Sequence, residues 1–314
     1  MPETTIDYGN VANSIPLVIG NKVLSRLDAY LSLVRNISRD TDYAPVQKGQ
    51  VIRIPKPGSL TANEKTANNN VTRQAPGDDK VDVTLDQHYE VTFAIEDVAK
   101  FFSNTDAYVD NYMRDAGIVL AEKVETAIAG LYSGMTYSEA GDADATIGTV
   151  EVKEGDFLAI RKRLTDNKVP KLAPLHGLVT PQVFNDIVLL RRSMGQSVLV
   201  DDDLNKNSHM LKHDGIVFEE SQLVVASGSP ATYHNLIYAP QAFVVALRPL
   251  PTEAKYFGGS NVKQEIVTDP STGLSVRVTM SYDANLLGGQ VTVDLLYGVA
   301  LARDEFAVDL QTQS

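Results

Sequence analysis

Apolar residues all but vanish from one long stretch near the front of this chain and then return with a two-residue period. Val51 to Ile54 (VIRI) reads as a short strand that runs through PKPG into SLTANEKTANNNVTRQAPGDDK, which is almost wholly polar. From residue 81, VDVTLDQHYEVTFAI sets Tyr89, Val91, Phe93 and Ile95 at alternate positions. That alternation marks a strand with one buried face. The two runs predict a long, polar, two-stranded arm. Such a stretch carries too few apolar side chains for a core of its own, and an excursion of this length inside a domain points to something outside it to bind.

Helical spacing brackets the arm. Residues 17–37 hold Val23, Leu24, Leu27, Leu31 and Val34 on one face, with Gly20 at the early edge of the helix. The first fifteen residues lack periodicity and read as an extended segment, and TDYAPVQKG, residues 41–49, as a loop. A longer helix starts near Asp106, whose carboxylate suits the free N–H groups of a first turn. Val109, Tyr112, Met113, Ala116, Leu120, Val124, Ala127, Ile128 and Leu131 hold its inner face. Its length is roughly 40 Å at the helical rise, and Gly130 to Gly134 offer a left-handed cap at its end.

After a small polar linker at 135–150, Phe157, Ile160 and Leu164 predict a helix that stops before Pro170. Thr180-Pro181 is a cap followed by a first-turn proline, opening a helix through Val183, Phe184, Ile187, Val188 and Leu190. Residues 193–215 read as an exposed loop. Strand patterns follow at IVF (216), LVVA (223), LIYA (236) and FVVAL (243). From residue 262 the chain is almost pure β: VKQEIV turns through TDPSTG into LSVRVTMSY, where Leu274, Val276, Val278, Met280 and Tyr282 share a face, and VTVDLLYGVALA and FAVDL close it. Helices and strands are segregated, which predicts an α+β fold rather than a doubly wound sheet.

Composition narrows the function classes. With 43% hydrophobic and 22% charged residues in 314, the chain has ordinary globular make-up and length enough for a real core. It contains no run near the roughly 18 apolar residues of a membrane span, and MPETTIDYGN lacks the pattern of a secretory signal. Asn36-Ile37-Ser38 and Asn70-Val71-Thr72 fit the glycosylation triplet but carry no weight without secretion. No cysteine is present, which excludes disulfides, thiolate metal sites and cysteine nucleophiles, and fits a reducing cytoplasm. The net charge is −12, with only small basic clusters at Arg161-Lys162-Arg163 and Arg191-Arg192. Tight gripping of nucleic acid through phosphates needs a basic face that this balance does not offer.

Candidate chemistry is sparse. Neither phosphate-binding glycine motif occurs, and Ser227 and Ser229 lie in a turn-like SGSP rather than a nucleophile elbow. Asp201, Asp202, Asp203, Asn205, His209 and His213 are the one metal-like constellation, with two His at helical spacing. Met210 stands where a zinc protease needs Glu; as a calcium loop, Lys206 and Lys212 replace the required Gly and Glu. An exposed acidic loop is the plainer reading. His88, His176 and His234 read as structural, the latter two as isolated, and Asp78-Asp79 and Glu219-Glu220 as surface acidic pairs. No acid/base or catalytic role is assigned.

The order of elements resembles a known family. It runs from an N-terminal arm and helix through K-G-Q-V-I-R-I-P-K-P into the polar hairpin, then V-T-L-D-Q-H-Y-E-V-T-F-A-I-E-D, the long helix from Asp106, a mixed region, and a β-rich end with D-L-L-Y-G-V-A-L-A-R-D-E-F-A-V. This is similar to the major capsid (coat) proteins of tailed bacteriophages, of Hong Kong 97 type fold, over nearly the whole chain.

The resemblance implies an N-terminal arm and helix at 1–45, an extended β-hairpin loop at 46–100 lying on the neighbouring subunit, and a peripheral domain with a spine helix at 101–149. An axial domain at 150–250 and closing strands at 251–314 complete it. It implies a structural, non-enzymatic protein without cofactors or metal, which self-assembles into pentamers and hexamers of an icosahedral virion shell in the host cytoplasm. Double-stranded DNA is enclosed without sequence-specific binding, and no membrane is involved. A separate scaffolding protein, a portal protein and decoration proteins are the further partners implied. Arg53, Lys56, Glu64, Lys65, Arg73, Asp78 and Asp79 are the charges placed for contacts between subunits. Some members cross-link a lysine to an asparagine; Lys65 and Asn68-Asn69-Asn70 lie in the loop, without a motif match. Below this reading stand an encapsulin-like bacterial compartment shell, a non-viral binding module using the arm, and last a metal-dependent enzyme at Asp201 to His213.

Overall fold

The computed structural model describes residues 18–25, 27, 31–40, 45–57, 60–65, 67, 70–74, 78–96, 105–140, 152–193, 210–252, 262–269, 274–285 and 287–313. Its longest described strand, Gly288–Leu301, is buried on both faces along its middle, from Val293 to Gly298. Val293, Leu295 and Tyr297 turn toward the main core. Leu296 lies on the opposite face with Val46, Val83, Leu85, Val244 and Ala246. One edge of this strand pairs with Gln87–Glu96. The other pairs first with Leu274–Asp283 and then with Phe243–Arg248. Val262–Asp269 and the short parallel Ser38–Arg39 finish a six-stranded sheet.

The helix Thr105–Ala129 covers the inner face of this sheet. Met113, Ala116, Leu120, Ala121, Val124 and Ile128 are buried along it at three- and four-residue spacing, so one apolar stripe meets the core. The Tyr297 hydroxyl donates to the Lys123 carbonyl at 2.9 Å, and the Phe93 and Tyr112 rings stack 5.6 Å apart. Asp106 falls in the first helical turn as expected; its side chain, like that of Val109, lies outside the described residues. No left-handed glycine ends this helix. The chain tightens into the 3-10 turn Gly130–Gly134, and the Met135 N–H closes it onto the Tyr132 carbonyl at 3.0 Å.

The single helix expected over 17–37 is interrupted. Residues 18–25 and 27 are helical, Leu31 leaves the helical backbone, and Ser32–Arg35 forms a separate turn. Val23, Leu24, Leu27, Leu31 and Val34 are nonetheless all buried. Gly20 lies in the first described turn of the helix, where a Cβ would stand 2.3 Å from Val267 Cγ2. The interruption is answered from the long helix. Glu125 accepts the Leu33 N–H at 2.7 Å and the Ser32 hydroxyl at 3.1 Å, satisfying donors that the short helix leaves free.

A seven-stranded sheet makes the second half. Its order is Ser138–Ala140, Ala307–Gln313, Thr232–Tyr238, Leu175–Val179, Ile216–Glu220, Met210–His213, with Ala226–Ser227 beside Thr232–Tyr238. Helices Glu154–Asp166 and Pro181–Ser193 cover one face through Phe157, Ile160, Leu164, Val183, Phe184 and Ile187. The other face, through Leu178, Leu236, Tyr238 and Ala307, joins the main core. Thr180 caps the second helix as the sequence predicts, its hydroxyl accepting the Val183 N–H at 3.4 Å. Leu175–Val179, that helix and the parallel Ile216–Glu220 are one alternating unit in an otherwise segregated α+β chain. Within the stretch read as a loop, Met210–His213 is a strand. It turns at Asp214 (φ 49°) and Gly215 (φ 82°) into Ile216–Glu220, the two-residue hairpin chemistry of Asp-Gly. Of LVVA at 223, only Ala226 enters a strand.

Two consequences for stability follow from this packing. A Cβ on Gly298 would stand 2.3 Å from the Thr84 carbonyl oxygen, where the base of the arm crosses the long strand. Gly298→Ala is expected to lower unfolding stability by about 2–3 kcal/mol in urea titration, while Gly130→Ala, with nothing within 4 Å, costs nothing. Glu125 is only 2% exposed, and burial pushes its carboxyl from 4.5 to about 7 against the opposing Leu33 and Ser32 hydrogen bonds, with the Glu219 charge adding to the rise. The folded chain therefore holds a proton that the unfolded chain has released. That contribution to stability is full below about pH 4.5 and lost as pH rises through about 7. Glu125→Gln, which never ionises, is expected to match the wild type near pH 4.5 and exceed it by on the order of 2–3 kcal/mol near pH 8. Denaturation curves at both pH values check this.

Candidate functional site

The arm is rooted by apolar side chains and ends in polar ones. Val51–Pro57 and Asp78–Thr84 pair antiparallel from Val51↔Thr84 to Pro57↔Asp78. Ile52 and Ile54 pack with buried Val83 against the outer face of the six-stranded sheet. The return strand expected as one run to Ile95 is two strands with different partners, divided at Leu85-Asp86. The division has a local cause. The Gly49 N–H donates to the Leu85 carbonyl at 2.7 Å and the Leu85 N–H donates to the Gln50 carbonyl at 3.0 Å. Gly49 reaches this position at φ 87°, a conformation that favours glycine.

Past Pro57 and Asp78, every described residue of 60–65, 67 and 70–74 is exposed. The two limbs are held side by side by one reciprocal pair. Gln74 Oε1 accepts the Thr61 N–H at 2.9 Å and the Thr61 hydroxyl at 3.2 Å, and Gln74 Nε2 donates to the Thr61 carbonyl at 2.5 Å. Leu60 and Val71 beside this clasp are 66% and 68% exposed. Both are isolated apolar residues in a polar run, which is their signal in the sequence.

The charged residues singled out from the sequence fall into two groups. Arg53 stands 3.6 Å from Asp82, and Lys56 Nζ is 3.7 Å from Glu305 Oε1, joining the arm's root to the body of its own chain. Such solvent-accessible pairs contribute little, about 0–1 kcal/mol each. Glu64, Lys65 and Arg73 lie on the exposed tip, and Asp79 is exposed near the end of its strand. Asp78 closes the strand pairing, but its side chain, like Asn68 and Asn69, lies outside the described residues.

Of the metal-like constellation, only His213 lies among the described residues. Asp201, Asp202, Asp203, Asn205 and His209 lie outside the described residues, and His213 sits on a strand, so helical spacing does not apply to it. His213 Nε2 lies 3.0 Å from Glu154 Oε2, tying the start of a helix to the Asp-Gly hairpin. Glu154, His213 and Asp214 offer donor atoms within 4.8 Å of one another, a set of types able to hold a divalent cation.

The remaining histidines are built into the sheets. His88 Nε2 is 2.9 Å from Asp294 Oδ2, and Arg277 grips the same carboxylate at 3.0 and 2.6 Å. Burial pushes His176 down. His234 is not isolated: its two ring nitrogens lie 2.7 Å from Ser227 Oγ and from Asp309 Oδ2. Glu219 is not a surface carboxylate either; burial pushes it up, against the Ser32 hydrogen bond and the Arg35 charge.

No protein-family model matches the chain, and no curated protein does. Solved structures do. The capsid of Ralstonia phage GP4 matches with a TM-score of 0.61 at 12% identity, covering 88% of this chain and 87% of that one. A Mycobacterium phage Che8 chain matches at 0.54 and 17% identity, over 84% and 85%. The holo-SrpI encapsulin complex of Synechococcus elongatus PCC 7942 matches at 0.52 and 13% identity, over 88% and 85%. At such identities the likeness is one of fold, and it runs through most of both chains in each case. The chain has the Hong Kong 97 type capsid fold.

Proposed function

We propose that this chain is the major capsid protein of a tailed phage, a subunit that forms pentamers and hexamers and closes an icosahedral shell around double-stranded DNA. The observation that carries this is the arm: a firmly rooted hairpin whose described tip residues are all exposed. A polar hairpin of this kind gains stability only by lying on another surface. On a second copy that surface differs from the arm itself, so the contact is heterologous and closes into rings. Many weak contacts then add up across a shell.

In this reading the long helix and the six-stranded sheet form the peripheral domain. The seven-stranded sheet with its two helices forms the axial one, largely within 150–250 and completed by Ala307–Gln313. Leu60 and Val71 join Arg53, Lys56, Glu64, Lys65, Arg73, Asp78 and Asp79 as the contact set. The charge of −12 keeps an inner surface from adhering to packed DNA. A scaffolding protein, a portal protein and decoration proteins are the partners this role calls for. A second reading, an encapsulin-like compartment shell, rests on the SrpI match at 0.52 beside the Che8 match at 0.54.

Negative-stain electron microscopy with light scattering, on the chain alone and with a co-expressed scaffold candidate, tests the proposal. Polyhedral shells or capsomer rings are expected, and dependence on the scaffold separates phage assembly from a self-assembling compartment. A strict monomer under every condition, with residues 55–80 resistant to protease, overturns it. The pair Leu60→Asp and Val71→Asp is expected to abolish shells while moving unfolding stability by less than about 0.5 kcal/mol, as exposed positions do.

A further inference from the structure

Three side chains from three strands meet beside Tyr132, just past the end of the long helix. Ser227 comes from the two-residue strand Ala226–Ser227, His234 from Thr232–Tyr238 and Asp309 from Ala307–Gln313. The registers Thr232↔Ser227 and Leu236↔Asp309 bring them together across the sheet. His234 Nδ1 lies 2.7 Å from Asp309 Oδ2, and His234 Nε2 lies 2.7 Å from Ser227 Oγ. An ionised carboxylate only accepts, so Nδ1 carries the hydrogen and Nε2 presents its lone pair to the serine hydroxyl. His234 and Asp309 are 6% and 3% exposed, while Ser227 is half-buried. The Tyr132 ring stacks on His234 with centroids 3.8 Å apart, fixing the imidazole plane. Gln311 Nε2 also donates to Asp309 Oδ2, at 3.1 Å, holding the carboxylate.

We propose that Ser227 is an activated nucleophile, a covalent modification site for small acyl or phosphonyl electrophiles, with His234 as its general base and Asp309 as the positioning carboxylate. The arrangement is the nucleophile–base–orienter relay by which a serine hydroxyl becomes reactive. With a fluorophosphonate, the Oγ–P bond forms as the P–F bond breaks, fluoride leaves, and the serine proton passes to His234 Nε2 and then to water. With a carboxylic ester, Oγ attacks the carbonyl carbon and the alcohol leaves with the proton held on Nε2. The acyl group then stays on Ser227 until water displaces it. This inference does not rest on the shell reading, since it needs only one folded chain.

The full chain is incubated with a small alkyl fluorophosphonate and followed by intact mass and peptide mapping. One adduct is expected, on Ser227 and absent from Ser227→Ala. Asp309→Asn, which favours the wrong tautomer, is expected to slow labelling on the order of a hundredfold or more in a chain whose melting shows it folded. An unmodified Ser227 in folded wild type overturns the proposal. So does labelling spread evenly over exposed serines, or a rate unchanged in folded Asp309→Asn. If Asp309→Asn fails to fold, His234→Gln decides: an unchanged labelling rate at Ser227 in that folded variant overturns the assignment.

Discussion

Burial of one strand on both faces is the constraint on which the rest of this molecule depends. A strand in an antiparallel sheet ordinarily keeps one face in water, yet Gly288–Leu301 has the core and long helix on one side and the base of the arm on the other. Covering the second face is what gives the arm its anchor. Val83 and Leu85, fully buried there, belong to the same segment that projects as Asp78–Thr84. The exposed tip and the buried centre are therefore mechanically continuous, with Gly298 allowing the two backbones to meet closely.

Ionic groups inside this frame are paired in ways that join distant segments. Arg277, Asp294 and His88 link three adjacent strands on the sheet. Arg248 holds Asp40 at 2.9 Å through Nε, bringing the chain after the N-terminal helices onto the sheet edge. Lone buried charges would be costly, and pairing lowers that cost without making such groups a large source of stability. Glu125 differs, since its partners are an N–H and a hydroxyl rather than a cation, and burial governs it.

Local rules left clear traces in the sequence where chain neighbours decide the outcome. Thr180-Pro181 announced its helix, Phe157, Ile160 and Leu164 theirs, and the alternation from Leu274 the strand it forms. What escaped depended on contacts across the fold. The close approach of Val267 to Gly20 joins residues remote in sequence. The division at Leu85 arises from bonds with residues 49 and 50, not from any change of periodicity. Asp214-Gly215 was legible turn chemistry, hidden by the shortness of the run before it. The arm's existence could be read from its polarity, but Arg53 and Lys56 meet Asp82 and Glu305, partners that spacing alone does not name. Ser227, His234 and Asp309 share no motif; only strand register joins them.

The Thr61–Gln74 clasp has a consequence for the tempo of association. Limbs already held together lose less conformational freedom on docking than a loose loop would, so a weaker contact suffices to seat them. Weak seating is also reversible seating. In the proposed shell, a subunit that arrives in the wrong orientation can leave before its neighbours trap it, and accuracy of assembly is then set by how readily each arm lets go.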